Sequence, residues 1–211
     1  FNVLVFRRVV VALGLGVFVG VAAITPSWPA WADGTSWTAV EAAEANSWLS
    51  VAYGNGVWVA VSYDGTNKVM RSTDDGVTWT AIAAAEANQW RSVAYGNGVW
   101  VAVARTGTNR VMRSTDDGEN WTAIAAAESN TWEYVAYGNG VWVAVADGGT
   151  NQVMRSTDDG ENWTAHAATD PSGSLSVAEG NGAWGPVLYE RRNNITIING
   201  TQVHMATHTA P

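Results

Sequence analysis

The stretch Trp48-Leu-Ser-Val-Ala-Tyr-Gly-Asn-Gly-Val-Trp58 decides the fold, because the chain repeats it twice. The copies are Trp90-Arg-Ser-Val-Ala-Tyr-Gly-Asn-Gly-Val-Trp100 and Trp132-Glu-Tyr-Val-Ala-Tyr-Gly-Asn-Gly-Val-Trp142, at a spacing of 42 residues. A weaker fourth copy begins at Leu175 and ends at Trp184. A constant period of this length indicates a repeat architecture, in which each repeat is one supersecondary unit that stacks on the next.

Each repeat predicts four short strands, because runs rich in Val, Trp, Ala and Thr alternate with turn residues at spacings too short for helices. The dipeptide Asn55-Gly56 favours a two-residue hairpin turn between the first two strands. Further turns are expected at residues 64–67 and 73–76. Four strands in 42 residues is the size of a propeller blade. The sequence therefore predicts an all-β propeller of about four blades.

Three repeats carry the pattern Ser-x-Asp-x-Gly-x-x-Trp in their third turn. Its residues are Ser72, Asp74, Gly76 and Trp79; Ser114, Asp116, Gly118 and Trp121; and Ser156, Asp158, Gly160 and Trp163. The pattern resembles the Asp-box, or BNR, repeat of sialidase-like and photosystem assembly factor-like β-propellers. This resemblance implies a structural turn, away from the active site, that joins the third and fourth strands. We expect its carboxylate to accept backbone N–H bonds, with the Trp packed beneath.

Sialidase activity is the enzymatic function that the resemblance implies, and it needs three convergent arginines, a Tyr–Glu nucleophilic pair and an acid/base residue. Those roles cannot be placed on this chain, so no catalytic residue is predicted. Arg71, Arg113 and Arg155 occupy the same position in successive repeats. We expect each of them to pair with a turn carboxylate such as Asp75.

Composition excludes several classes of chemistry. The chain has 211 residues, a net charge of −8 and no cysteine. Without cysteine there is no disulfide framework, zinc finger or iron–sulfur site. The acidic balance supplies no basic surface for nucleic acid, so no nucleic-acid partner is expected. The three histidines, His166, His204 and His208, show no metal-ligand pattern. We therefore predict no metal and no cofactor.

The first 32 residues predict a secretory signal peptide. A basic pair, Arg7-Arg8, precedes the apolar run Val9–Ile24, and Ala30-Trp31-Ala32 provides a cleavage pattern. Residues 33–211 are then an exported propeller domain, secreted or at the cell surface, with clear repeats over 48–170 and a degenerate closing blade over 171–211. The alternative is an uncleaved segment that anchors the protein in a membrane, as in a surface-filament subunit.

The repeat pattern breaks down after Trp184, although residues 194–198 and 201–205 still favour a hairpin around Asn199-Gly200. One hypothesis is that the amino-terminal strand Ser36–Val40 completes this last blade and joins the ends of the ring. A damaged carboxyl end is an alternative. Because about four repeats are fewer than the family usually shows, a homo-oligomer that supplies the missing blades is also considered.

Differences between the repeats indicate where the fold does not determine the residue. They concentrate before the second turn, where Tyr63, Arg105 and Asp147 correspond, and at Leu49, Arg91 and Glu133. These turns share a face with the links between blades, which end at Trp48, Trp90 and Trp132. The predicted ligand site therefore comprises these tryptophans together with Tyr63, Arg105 and Asp147, because aromatic faces stack on sugars or on partner side chains. The alternative is neutral variation of exposed loops, with the tryptophans packed between blades.

The function that these observations favour is a non-catalytic binding or scaffold module for a glycan or a surface protein. A sialidase-like glycoside hydrolase and a structural surface subunit are the alternatives.

Overall fold

The computed structural model describes residues 39–168 in full, and beyond them the strands within 174–180, 183–188, 194–199 and 202–207. Side chains of these last strands are described at 176–179 and 184. The predicted signal peptide, residues 1–32, lies outside the described residues.

The described residues form sixteen strands and no helix. The strands are β1 (Trp48–Gly54), β2 (Val57–Ser62), β3 (Val69–Ser72), β4 (Thr80–Ile82), β5 (Trp90–Gly96), β6 (Val99–Ala104), β7 (Val111–Ser114), β8 (Thr122–Ile124), β9 (Trp132–Gly138), β10 (Val141–Ala146), β11 (Val153–Ser156), β12 (Thr164–His166), β13 (Ser174–Gly180), β14 (Ala183–Leu188), β15 (Asn194–Asn199) and β16 (Gln202–Thr207).

The strands assemble into four antiparallel sheets, each built from four consecutive strands paired in sequence order. We call them blades 1 to 4. The first hairpin of each complete repeat turns as predicted: Asn55 and Gly56 have φ angles of 49° and 78°. Positive φ at both turn residues matches the twist of the flanking strands, which is why Asn-Gly suits this position. The meander places the β1–β2 and β3–β4 turns at one end of the blade, which we call the turn face. The β2–β3 loops and the interblade links form the opposite, loop face.

The first strand of each blade contacts the first strand of the next, from β1 to β5, β5 to β9 and β9 to β13. These strands are therefore the inner strands of the array. The hydrophobic core lies between blades, where Val59 and Val61 of blade 1 pack against Trp100 and Met112 of blade 2. The same contacts recur between blades 2 and 3. Because every blade buries one face on its neighbour, adjacent repeats stabilise each other.

Blade 4 contains four carboxyl-terminal strands, and β16 takes the outermost place. That place is the one the closure hypothesis gave to the amino-terminal strand Ser36–Val40. Residues 36–38 lie outside the described residues, and Ala39 and Val40 belong to no strand. The fourth strand of blade 4 is therefore supplied locally, because residues 202–207 follow residues 194–199 in a hairpin register.

Candidate functional site

The Ser-x-Asp-x-Gly-x-x-Trp pattern forms a closed hydrogen-bonded turn on the turn face. In blade 1 the Ser72 hydroxyl donates to Asp74 at 2.8 Å and accepts the Gly76 N–H at 2.9 Å. The Asp74 carboxylate accepts the Thr78 N–H at 2.9 Å and the Thr78 hydroxyl at 2.7 Å, while the Trp79 indole N–H donates to the Gly76 carbonyl. The same bonds recur in blades 2 and 3. This geometry confirms the predicted carboxylate-to-backbone bonds.

Arg71 and Arg113, which precede two of these turns, bind the neighbouring blade and not their own turn, so the expected pairing of Arg71 with Asp75 is wrong. Arg71 Nε donates to the main-chain carbonyl of Asp117 at 2.7 Å, and its Nη2 lies 3.4 Å from Glu119. The hairpin residue Asn55 also donates to the Asp117 carboxylate at 3.0 Å. Arg113 repeats the contact on the turn of blade 3. These arginines join blades and are not free to converge on a substrate.

The turn carboxylates make stability dependent on pH. Hydrogen bonds from Thr78 lower the pKa of Asp74 to about 2, and bonds from Asn162 lower the pKa of Asp158 to about 2. Because the folded pKa lies below the unfolded value, the stabilisation is present above about pH 4 and is lost as the pH falls towards 2. We expect melting temperatures to fall steadily from about pH 5 to pH 2. Asp74→Asn should lower the melting temperature at pH 7 and flatten its dependence on acid. A slope unchanged by Asp74→Asn would contradict this origin.

Two of the predicted ligand-stacking tryptophans are buried, so that part of the site prediction is wrong. Trp90 and Trp132 have no exposed surface. Their indole N–H groups donate to the carbonyls of Glu86 and Glu128 at 3.1 Å, inside the interblade core. Trp48 makes the same bond to Glu44 but is half-buried. The residues therefore pack between blades, which is the alternative that the repeat pattern left open.

A polar clasp on the loop face, which the sequence analysis missed, ties each link to the next blade. Glu86 accepts from Asn109 through its side-chain amide at 2.6 Å and its N–H at 3.2 Å. Asn88 donates to the Asn109 carbonyl at 2.5 Å. The hydrogen bond from the Asn109 side-chain amide lowers the pKa of Glu86, and the bond from the Asn109 main-chain N–H adds to this effect. Burial of the carboxylate raises the pKa but does not outweigh these bonds. The sequence does contain a signal for this clasp, because residues equivalent to Glu86, Asn88 and Asn109 recur in the other two repeats: Glu44, Asn46, Asn67; Glu128, Asn130, Asn151.

The variable positions of successive repeats meet in one charged network on the loop face. Leu49, Arg91 and Glu133 each sit where the first strand shifts register against the second. An extra residue at such a bulge is released from the ladder, and its side chain is re-aimed. Arg91 Nε and Nη2 both reach Glu133 Oε2 at 2.8 Å, and Arg105 Nε lies 2.5 Å from Glu133 Oε1.

Arg105 makes a second contact with the third blade, through Asp147. Arg105 Nη2 contacts Asp147 Oδ2 at 2.5 Å, and the Thr131 hydroxyl donates to the other oxygen of Asp147. The Glu133 side chain is only 4% exposed, whereas the two arginines are 29% and 34% exposed. Among the contacts of the described residues, Nη1 of both Arg91 and Arg105 is unused. The structure thus brings together Arg105 and Asp147, as predicted, and adds Arg91 and Glu133 to them.

Tyr63 occupies in blade 1 the position that Arg105 and Asp147 occupy in blades 2 and 3. Burial lowers the pKa of Arg105, but its bond to Asp147 and the charge of Glu133 outweigh burial and raise it. The Tyr63 ring is half-buried, while its N–H donates to the Ser47 carbonyl at 3.0 Å. The loop-face cluster of Arg91, Arg105, Glu133 and Asp147, with Tyr63 at the equivalent position of blade 1, is therefore the candidate binding site.

Within the described part of the chain, no group of three or more His, Asp or Glu side chains could hold a metal ion. His166 is exposed and contacts Thr164. The His204 side chain and His208 lie outside the described residues. The part of the chain that the structure describes also contains no helix long and apolar enough to cross a membrane.

Several solved structures are similar in fold to this one. YCF48 bound to D1 peptide superposes with a TM-score of 0.65 at 18% identity, over 84% of this chain and 59% of that one. Streptogramin B lyase gives a TM-score of 0.69 at 14% identity, over 83% and 60%. A catalytically inactive virginiamycin B lyase from Staphylococcus aureus, solved with quinupristin, gives 0.68 at 18% identity, over 83% and 61%. The chain is a β-propeller.

This propeller spans about three fifths of the length of those structures. No family model and no curated protein matches its sequence. At identities below a fifth, the likeness concerns the fold, which confirms the all-β propeller predicted from the repeats.

Proposed function

We propose that this chain is an exported, non-catalytic propeller of the Asp-box type that binds an extended segment of a partner protein on its loop face. The observation that carries the proposal is the convergence of the variable positions. Arg91, Arg105, Glu133 and Asp147 come from two repeats that are otherwise nearly identical, yet they form one connected cluster across the joint between blades 2 and 3. A specific site needs such differences between repeats, because uniform positions present the same chemistry in every blade.

The cluster offers donors suited to a polypeptide. Each arginine has five N–H donors in a planar fork, and Nη1 of Arg91 and Arg105 remains available at the half-exposed edge of the cluster. Main-chain carbonyls and carboxylates are the acceptors that such donors bind. The peptide bound to a structure of the same fold, YCF48, supports a protein ligand. The commitment of Arg71 and Arg113 to interblade contacts favours a non-catalytic role.

A peptide-display screen and a glycan array, both probed with the full chain, test the class of ligand. We expect enrichment of a peptide motif and no glycan signal above background. Binding of a glycan alone would replace the protein-ligand proposal. Hydrolysis of a fluorogenic sialoside that persists through purification would overturn the non-catalytic role.

Two variants then test the position of the site. Tyr63→Ala should weaken binding of the selected peptide about tenfold, as expected for an aromatic contact at the centre of an interface. Arg105→Lys keeps a cation beside Glu133 but removes the planar fork, and we expect a similar loss. Affinity is measured by calorimetry, with melting temperature as the check on folding.

Arg155→Lys is the matched control, because Arg155 is exposed near the turn face. It should leave affinity unchanged. If Arg155→Lys weakened binding while Tyr63→Ala and Arg105→Lys did not, the site would lie on the turn face.

A further inference from the structure

Exposed apolar surface in the described residues is concentrated on one face of blade 1. Five large apolar side chains are exposed among the described residues. Four of them belong to this blade: Leu49, Val51, Tyr53 and Val77. Val51 is 41% exposed, whereas its counterparts Val93 and Val135 are 5% and 2% exposed. Farther out on the same blade, Ala60 and Met70 are fully buried. The exposed area is thus confined to strand β1 and the turn that follows β3. Blades 2 and 3 contact the preceding blade at the equivalent places.

The joints between blades show what this face is built to receive. A Cβ added to Gly54 would lie 2.1 Å from the ring of Tyr95, so this tyrosine of blade 2 packs on the glycine of blade 1. Gly96 and Tyr137 repeat this contact at 2.1 Å. The Val93 N–H also donates to the Ser50 hydroxyl at 3.1 Å. Tyr53 and Val51 carry the same groups, but no described blade packs on them, and Tyr53 is 52% exposed.

Blade 4 carries the complementary positions. Gly180 pairs with Ala183 as Gly54 pairs with Val57, and Ser176 pairs with Val187 as Ser50 pairs with Val61. Gly180 and Ser176 therefore occupy the register positions that contact the following blade in the other joints.

A paired difference distinguishes this combination of blades from the first two joints of the array. Trp184 pairs with Ile198 as Trp58 pairs with Ser72, so Ile197 occupies the register position of Arg71. On the receiving side, Val77 occupies the position of Glu119. The Arg71–Glu119 ion pair of the first joint is thus replaced by two apolar residues in a joint between blade 4 and blade 1. The two positions that would meet in a joint between blade 4 and blade 1 are therefore both apolar, whereas the equivalent positions of the first joint are both charged.

We propose that the open face of blade 1 is a docking surface for blade 4 of a second copy of this chain. Two copies can then contact each other reciprocally, with blade 4 of each on blade 1 of the other, around a two-fold axis. The occupant is a second copy, because Val51 and Tyr53 remain exposed although blade 4 of the same chain is in place at the other end of the array. This inference is independent of the loop-face ligand.

Light scattering after size exclusion, on the full chain, should give twice the mass of one chain. Gly180→Val places side-chain atoms where the Tyr53 ring docks, and should weaken the dimer at least about tenfold. Val51→Asp puts a charge on the apolar face and should do the same. Since Val51 is exposed within the chain, this second variant keeps the test valid if Gly180→Val fails to fold by circular dichroism.

Mixing two variants separates a joint between chains from closure within one chain. Tyr53→Ala provides space for the added side chain of Gly180→Val. In a mixed dimer, one joint places Val at position 180 of one copy against Ala at position 53 of the other. The second joint pairs the wild-type Gly180 with the wild-type Tyr53. We therefore expect the mixture to recover the dimer that each variant alone has lost or weakened. A monomeric wild-type chain, a larger closed assembly, a dimer insensitive to both Gly180→Val and Val51→Asp, or a mixture without recovery would overturn the proposal.

Discussion

Trp132→Ala is expected to destabilise the protein by about 3–5 kcal/mol, the largest effect of any single substitution considered. The side chain has no exposed surface and packs in the core between blades 2 and 3. Its indole N–H also holds the Glu128 carbonyl at 3.1 Å, so the variant leaves both a cavity and an unpaired acceptor in the link. The free energy of unfolding, measured by urea denaturation with circular dichroism, checks this value.

Trp48→Ala is the matched control for this experiment. Trp48 occupies the same position and makes the same bond to its link, but it is half-buried, whereas Trp132 lies between two described blades. Its loss should cost clearly less than the loss of Trp132. Equal effects would mean that burial between blades is not the source of the stabilisation. A loss of ligand binding by Trp132→Ala at unchanged stability would restore the interpretation of these tryptophans as a stacking surface.

Asp116→Ala should destabilise the protein by about 1–3 kcal/mol, because several donors lose one acceptor at once. The Asp116 carboxylate receives the Asn120 N–H at 3.0 Å, the Asn120 amide at 2.8 Å and the Ser114 hydroxyl at 2.8 Å. The turn it closes also presents Asp117, which receives Arg71 and Asn55 from blade 1. Loosening the turn therefore weakens the joint between blades as well.

Glu119→Ala removes a carboxylate from the same turn and serves as the comparison. Glu119 is 59% exposed and lies 3.4 Å from Arg71, a geometry that contributes little in water. We expect its effect on the free energy of unfolding to stay within about 0.5 kcal/mol. If both variants had the same effect, general loss of negative charge and not the hydrogen-bonded turn would explain the result.

The parts of the structure that could be predicted from the sequence are those determined within one repeat. The Asn55-Gly56 turn and the Ser72–Asp74 turn depend on local backbone angles and on bonds between residues at most four apart. A pattern repeated at constant spacing reveals such units directly. The fold class followed because four strands per repeat leave few alternatives.

The contacts between repeats could not be predicted in the same way. Arg71 reaches a turn 46 residues away, and the sequence alone does not say whether an arginine binds its own turn or the next. For the same reason, Trp90 was expected at a surface although it is buried by the blade before it. The convergence of Arg105 with Glu133 depends on a strand bulge, which shifts one side chain and has no clear sequence signal.

The interblade contact on the turn face has a consequence for how such a chain can change in evolution. Every complete repeat carries both halves of the joint: Asn55 and Arg71 as donors, and an aspartate at the position of Asp117 as acceptor. Unequal recombination that adds or removes 42 codons therefore creates a joint identical to those already present. The number of complete repeats can therefore change without any compensating substitution at the joints between them.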